Sequence, residues 1–263
     1  MDLAEPILLA SSGGVTTITL NRPQRKNAID GAMWLTLKDT LARIRNDPDT
    51  QVVVLQGAGG DFCAGADVAK SSQAEHPMSR LRRIGDVVLE LFGLPMPTIA
   101  RIHGVAVGAG CNMALACDFV VASDTARFSQ IFTRRGLSID FGGSWLLPRI
   151  VGLQQAKRLA LLAEVIDAQE AERLGMVTWV RPASELDDFV STLAARIAAL
   201  PPVALAQTKA LLNQGVRVDL PTAVHNETAA QAVNFATEDV PAAFRAFLEK
   251  ADAPEYTGRW ALS

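Results

Sequence analysis

The sequence has 263 residues, a formal net charge of −3, and 49% hydrophobic against 20% charged residues. That balance describes a folded globular chain with a sizeable core, and its slight acidic excess offers no general attraction to nucleic acid or anionic membranes. Cys63, Cys111 and Cys117 form no C-x-x-C pair, the N-terminal MDLAEPILLASSGG has acids where a signal peptide carries bases, and no apolar run reaches bilayer length. A cytoplasmic protein without disulfides, structural zinc, or membrane or nucleic-acid partners is expected.

In chain order, Val15 to Leu20 (VTTITL) is β-branched and ends at the turn signal Asn21-Arg22-Pro23, which predicts a strand. A helix follows, opened by Asp30 as N-cap, with Met33, Leu37, Leu41 and Ile44 on one face. Gln51 to Gln56 reads as a second strand, Ser79 to Leu91 as a helix, and Pro97 to Ile102 and Phe119 to Ser123 as further strands. Strands alternating with helices predict a parallel-rich α/β sheet. After Gly142 the pattern turns helical: QQAKRLALLA, DAQEAERLG, Leu186 to Ala199, Val203 to Leu212, Leu220 to Ala236 and Pro241 to Lys250, with Asp239 as a cap for the last. Only Val177 to Val180 is strand-like there. Residues 1–200 are read as an α/β core and 201–263 as a helical C-terminal region.

Two glycine-rich loops follow predicted strands and open onto helical patterns: GAGGDFCAGAD (Gly57 to Asp67) and HGVAVGAGCNMALACD (His103 to Asp118). Small residues admit a ligand close to the backbone, and two such loops on one sheet can aim two N–H groups at a single oxygen. Either loop alone is as well explained by turns and helix packing. Neither carries the third glycine of a dinucleotide fingerprint or the Gly-Lys-Ser/Thr end of a P-loop. Asp140, in LSIDFGGSWLLPR, stands among apolar residues and glycines and is either the N-cap of the next helix or a functional carboxylate. His76, His103 and His225 form no metal-ligand pair, and Ser144 in GGSWL is not a nucleophile elbow. Cys63 and Cys111 are expected to pack rather than react.

Five segments in order, NRPQRKNAI (Asn21 to Ile29), DFCAGAD (Asp61 to Asp67), GVAVGAGCNMALACDFVVAS (Gly104 to Ser123), FGGSWLLPRIVG (Phe141 to Gly152) and AERLGMV (Ala171 to Val177), resemble the enoyl-CoA hydratase/isomerase, or crotonase, superfamily. The resemblance runs on to AFRAFLEK (Ala243 to Lys250). It implies a spiral of ββα turns (a ClpP-like fold) with a helical trimerisation region, an acyl-CoA thioester substrate, and a homotrimer or hexamer. No cofactor is implied beyond the CoA carried by the substrate.

By motif position the resemblance assigns the oxyanion donors to the backbone amides of Ala66 and Ala109. It places CoA contacts at Arg25, Ala28, Ala64, Gly65, Asp67, Gly108, Gly110 and Lys250, with Arg22 and Lys26 as further bases within reach of phosphate. Hydratases similar to this chain carry two glutamates where Asn112 and Phe132 stand. Neither replacement can activate water and return a proton. The single-Asp isomerase branch looks similar around Asp140, which implies a 3-enoyl-CoA to 2-enoyl-CoA isomerase with Asp140 as acid/base. The alternatives are a 2-enoyl-CoA hydratase with non-standard acids, a dehalogenase-like use of Asp140 as nucleophile, and a non-catalytic acyl-CoA-binding scaffold.

Overall fold

The computed structural model describes residues 5–67 and 76–261. Among these residues nine strands occur: β1 (Ile7–Ser12), β2 (Val15–Leu20), β3 (Val52–Gly57), β4 (Thr98–Ile102), β5 (Val105–Val107), β6 (Phe119–Ser123), β7 (Arg127–Ser129), β8 (Val165–Asp167) and β9 (Trp179–Arg181). The helices are α1 (Gly31–Arg45), α2 (Pro77–Phe92), α3 (Ala109–Leu115), α4 (Gly143–Val151), α5 (Leu153–Leu162), α6 (Ala168–Arg173), α7 (Leu186–Ala198), α8 (Pro202–Gly215), α9 (Leu220–Phe235) and α10 (Asp239–Glu249). The fold is the expected α/β class, with a helical C-terminal region.

The main sheet has the order β1-β2-β3-β4-β6-β9 and is parallel apart from the β1–β2 pair. Its central strands are apolar on both faces because both are covered. In β3, Val53 and Leu55 join the larger core with α1, α2 and α3, while Val52 and Val54 pack with Leu186, Val190, Ala194 and Ile197 of α7. Asp30 caps α1 as expected, accepting from the Met33 amide at 3.0 Å. A second sheet, β5-β7-β8, stands beside the first. It extends toward the first glycine loop through a bridge between Cys63 and Ala106.

Near the two ends of the chain the structure differs from expectation. β1 forms a hairpin with β2 across Gly13-Gly14, both with positive φ (56° and 78°), and Gly-Gly between two apolar runs is the signal for it. Asp239 does not cap α10. It lies inside the first turn, buried, and its carboxylate accepts from the Thr257 and Gly258 amides at 2.9 and 3.0 Å, tying the C-terminal tail down.

The helical region is pinned to the sheet by Lys209 of α8. Its Nζ lies 2.6 Å from Asp118 Oδ2 and donates to the Met96 carbonyl at 3.0 Å, with the side chain 9% exposed. Asp118 also accepts from the amide and hydroxyl of Thr98 at the start of β4. No single helix among the described residues is long and apolar enough to cross a membrane.

Candidate active site

The first glycine loop leaves β3 at Gly57 and is held from beneath by Asn27. Its Nδ2 donates to the carbonyls of Ala58 (2.9 Å) and Asp61 (2.6 Å), and its Oδ1 accepts from the Arg22 amide. At φ 54°, Asn27 occupies the left-handed region, which asparagine tolerates better than most residues. The loop then pairs with the second one: the Cys63 amide donates to the Val105 carbonyl at 3.0 Å and the Val107 amide to the Cys63 carbonyl at 2.9 Å. Gly65, at φ 91°, sits so close to the second loop that a Cβ there would lie 2.8 Å from the Val107 carbonyl oxygen and 3.5 Å from the Ala109 amide. Only glycine permits that approach.

Ala64, Gly65, Ala66, Gly108, Ala109 and Gly110 are therefore gathered at one junction of the two loops. The neighbouring amides are spent on the fold: Ala64 donates to Lys26, Asp67 to Ile29 and Gly108 to Ser129. Among the described residues the Ala66 and Ala109 amides donate to no protein group. Two free amides on abutting loops, one at the N-terminus of the wholly buried α3, are what stabilising a developing oxyanion requires.

Asp140 lies in the turn that leads into α4. Phe141 (φ 47°) and Gly142 (φ 73°) are both left-handed, and the Asp140 carbonyl accepts from the Gly143 amide at 2.9 Å. The N-cap of α4 is thus Gly142, and no side chain caps the helix. Of the two readings of Asp140, the cap is ruled out. The strain of Phe141 is offset by its burial against Trp34, with ring centroids 5.4 Å apart.

Asp140 Oδ1 is buried with no hydrogen-bond partner. Burial alone pushes its carboxyl up to about 6, with no charged neighbour contributing. A carboxylate without a compensating partner is the poised base that proton abstraction at neutral pH needs. Asn112, where a hydratase-like glutamate is expected, is fully buried and committed to the fold. Its Nδ2 donates to the Asp140 carbonyl at 2.8 Å and its Oδ1 accepts from Gln130 Nε2 at 2.8 Å. Gly143 packs directly on this amide, since a Cβ there would lie 2.3 Å from Nδ2. Asn112 is a positioning residue for the Asp140 turn. Phe132, at the other glutamate position, is buried beside Gly108, a Cβ at which would lie 3.7 Å from its ring.

The bases divide. Arg22 is withdrawn from any phosphate role: its guanidinium donates to the Ala28 carbonyl at 2.5 Å, bonds Asp67 Oδ2 at 2.9 Å and lies 3.6 Å from Asp30 Oδ2. Asp67, expected among the CoA contacts, is instead the buried partner of Arg22 and fixes the end of the first loop; the Ala28 carbonyl is likewise taken. Arg25 is exposed at the end of a 3-10 turn, Pro23–Arg25, and Lys26 lies 3.8 Å from Asp61. Lys250, the exposed C-cap of α10, belongs to a helix whose main packing is on α9. Among the described residues no hydrogen bond or ion pair joins it to the loop residues.

His103 proves structural, as expected. Nδ1 contacts Arg101 at 2.8 Å and Nε2 the Gly59 carbonyl at 2.5 Å, tying the first loop to β4 and, through Arg101, to Asp187 of α7. Burial first, then the Arg101 charge, lowers its pKa below 6.5. His76 caps α2 through Nδ1. Cys63 and Cys111 are buried thiols pushed up to about 12 by burial, inert as nucleophiles. Sequence reasoning missed Asn27 and Gln130; a loop asparagine before two apolar residues was the available signal for the first.

A family model described as enoyl-CoA hydratase/isomerase matches residues 10–259. A probable enoyl-CoA hydratase of Rhodobacter capsulatus is 37% identical over 250 residues, covering 94% of this chain and 96% of that protein. A 1,2-epoxyphenylacetyl-CoA isomerase of Escherichia coli is 35% identical over 263 residues, covering 98% and 100%. The solved structure of an enoyl-CoA hydratase from Bacillus anthracis superposes with a TM-score of 0.92 at 33% identity, covering 97% of this chain and all of that one.

Proposed function

The chain belongs to the enoyl-CoA hydratase/isomerase family, the crotonase superfamily, and on that premise we propose that it isomerises 3-enoyl-CoA to 2-enoyl-CoA through one acid/base, Asp140. The observation that carries this reading is a lone, unpartnered carboxylate whose turn is hydrogen-bonded through Asn112 to α3, the helix that begins at one of two free loop amides. Asp140 takes a proton from C2 of the thioester. Charge moves onto the thioester oxygen, where the Ala66 and Ala109 amides each contribute about 3 to 4 kcal/mol. The same carboxyl group then delivers the proton to C4, and the electron pair of the dienolate closes the new C2–C3 double bond. Arg25 and Lys250 are read as phosphate contacts for CoA, with Lys250 reaching a site only in an assembly. The exposed apolar face of the helical region supports a homotrimer or hexamer: Phe247 is 82% exposed, Leu248 78% and Leu220 76%.

A second reading, a 2-enoyl-CoA hydratase with non-standard acids, is favoured by the names of relatives such as the Rhodobacter protein. Hydration needs a group to position water and another to return a proton, and Asn112 and Phe132 supply neither. The test is a set of 2-enoyl- and 3-enoyl-CoA thioesters assayed separately for hydration and isomerisation. Isomerisation is expected to dominate, and Asp140→Asn to lower it by about a thousandfold, within the span of general acid–base catalysis, with thioester binding retained. Faster hydration, or near wild-type isomerisation by the variant, sinks the proposal.

A further inference from the structure

A cavity of about 400 Å³ begins at Gly142, two residues beyond Asp140. Val88, Leu89 and Phe92 of α2 and Leu146 of α4 line its sides. Its far end is not apolar. The ring of Trp145 carries two guanidinium groups, Arg149 with Cζ 4.1 Å from the ring centroid and Arg217 with Cζ 4.6 Å. Phe92 meets the same indole edge-on at 5.5 Å.

Two features set this pair apart. Neither arginine has an acidic partner among the described residues; beyond the ring, Arg149 spends one N–H on the Trp145 carbonyl at 3.0 Å. Both charges are also held on one indole. Both arginines are exposed to solvent, and a planar guanidinium stacked on a ring still presents its edge N–H groups for a two-pronged bond to a carboxylate. The two come from different parts of the chain, Arg149 from α4 and Arg217 from the connection between α8 and α9. They meet because Lys209 docks α8 across a contiguous cavity of about 510 Å³ that shares Phe92, Trp145, Leu146 and Arg149.

We propose that this cavity receives the distal part of the acyl chain and that Arg149 and Arg217 select a chain ending in a carboxylate, so that the substrate is the CoA monothioester of a dicarboxylic acid. The proposal rests on the acyl-CoA reading above and adds the chemistry of the far end. The apolar walls accept the methylene groups, and the arginines hold the terminal anion, with an edge of each guanidinium still open after stacking on Trp145. A neutral alkyl chain would fill the walls and make no use of the two guanidinium groups.

The test needs binding rather than turnover. Saturated succinyl-, adipoyl- and suberoyl-CoA are compared by calorimetry with butyryl-, hexanoyl- and octanoyl-CoA on the intact protein. At one chain length or more, the diacid thioester is expected to bind about tenfold more tightly than its neutral partner. Arg217→Met, which keeps the stem on Trp145 and removes the charge, is expected to bring that ratio near one, and Arg217→Lys to keep part of it. Neutral thioesters binding as tightly at every length, or a ratio that survives Arg217→Met, overturns the inference while leaving the acyl-CoA reading in place. If neither series binds, both fall together.

Discussion

At the scale of single residues, Asp140 departs furthest from what folding alone would choose. Its carboxyl is pushed up to about 6 from an ordinary 3.8 by burial, so the folded protein holds this proton where the unfolded chain has released it. Stability from this group therefore falls as pH rises from about 4 to about 6 and stays lost above that. Asp140→Asn removes the buried charge and is expected to stabilise the protein by as much as about 3 kcal/mol near pH 7, with the gain gone near pH 4. Urea denaturation at the two pH values reads this; a variant that loses stability near neutrality would contradict it. In the wild type, kcat/KM for isomerisation is expected to rise with pH through about 6 as the base ionises. The sequence placed Asp140 in the right company but left cap and base unresolved, because both roles fit the same letters. What separates them is the left-handed pair Phe141-Gly142, which moves the cap to Gly142, and left-handed phenylalanine has no signature in sequence.

At the scale of elements, the site is two glycine loops and one turn, held by buried amides. Asn112→Ala would leave the Asp140 carbonyl with Gly143 alone and the Gln130 amide with only the Cys111 sulfur at 3.5 Å. Its expected cost is about 2 kcal/mol of stability, with kcat falling more than KM, because the turn carries the base and not the CoA contacts. Equal losses in both constants would mean that Asn112 supports the fold without aiming Asp140. The longer elements were legible: β2, β3, β4 and β6 from apolar runs bounded by turn signals, α1 and the later helices from their periodicity. The strands β5, β7 and β8 have three residues each, too few for alternation to show. Yet β5 is what brings the second loop against Cys63. The oxyanion junction was therefore expected from resemblance and glycine content, and its geometry comes from a pairing the sequence does not display. Asp67 and Arg22 show the same limit, since a charge near a ligand loop looks alike in sequence whether it faces solvent or, as here, a buried partner.

At the scale of the whole molecule, Leu220 of α9 and Phe247 and Leu248 of α10 stay largely uncovered among the described residues, and copies of the chain are proposed to cover them. Sedimentation is expected to give the mass of a trimer or hexamer, and Phe247→Asp to shift it toward smaller species; a monomeric wild type would contradict the proposal. Sequence periodicity placed these helices but not their unpartnered face, since an amphipathic helix has the same pattern whether its apolar side meets its own chain or another. The docking of α8 through Lys209 and Asp118 was equally invisible, because the two lie far apart in sequence. The central claim, a single carboxyl group moving one proton, is tested most directly by label transfer. A 3-enoyl-CoA carrying deuterium at C2 is converted in ordinary water and the 2-enoyl product is analysed for deuterium at C4. Because Oδ1 of Asp140 is buried without a polar neighbour to carry the label away, part of the deuterium is expected at C4. A product with none there, or a 3-hydroxyacyl-CoA in its place, would contradict the account.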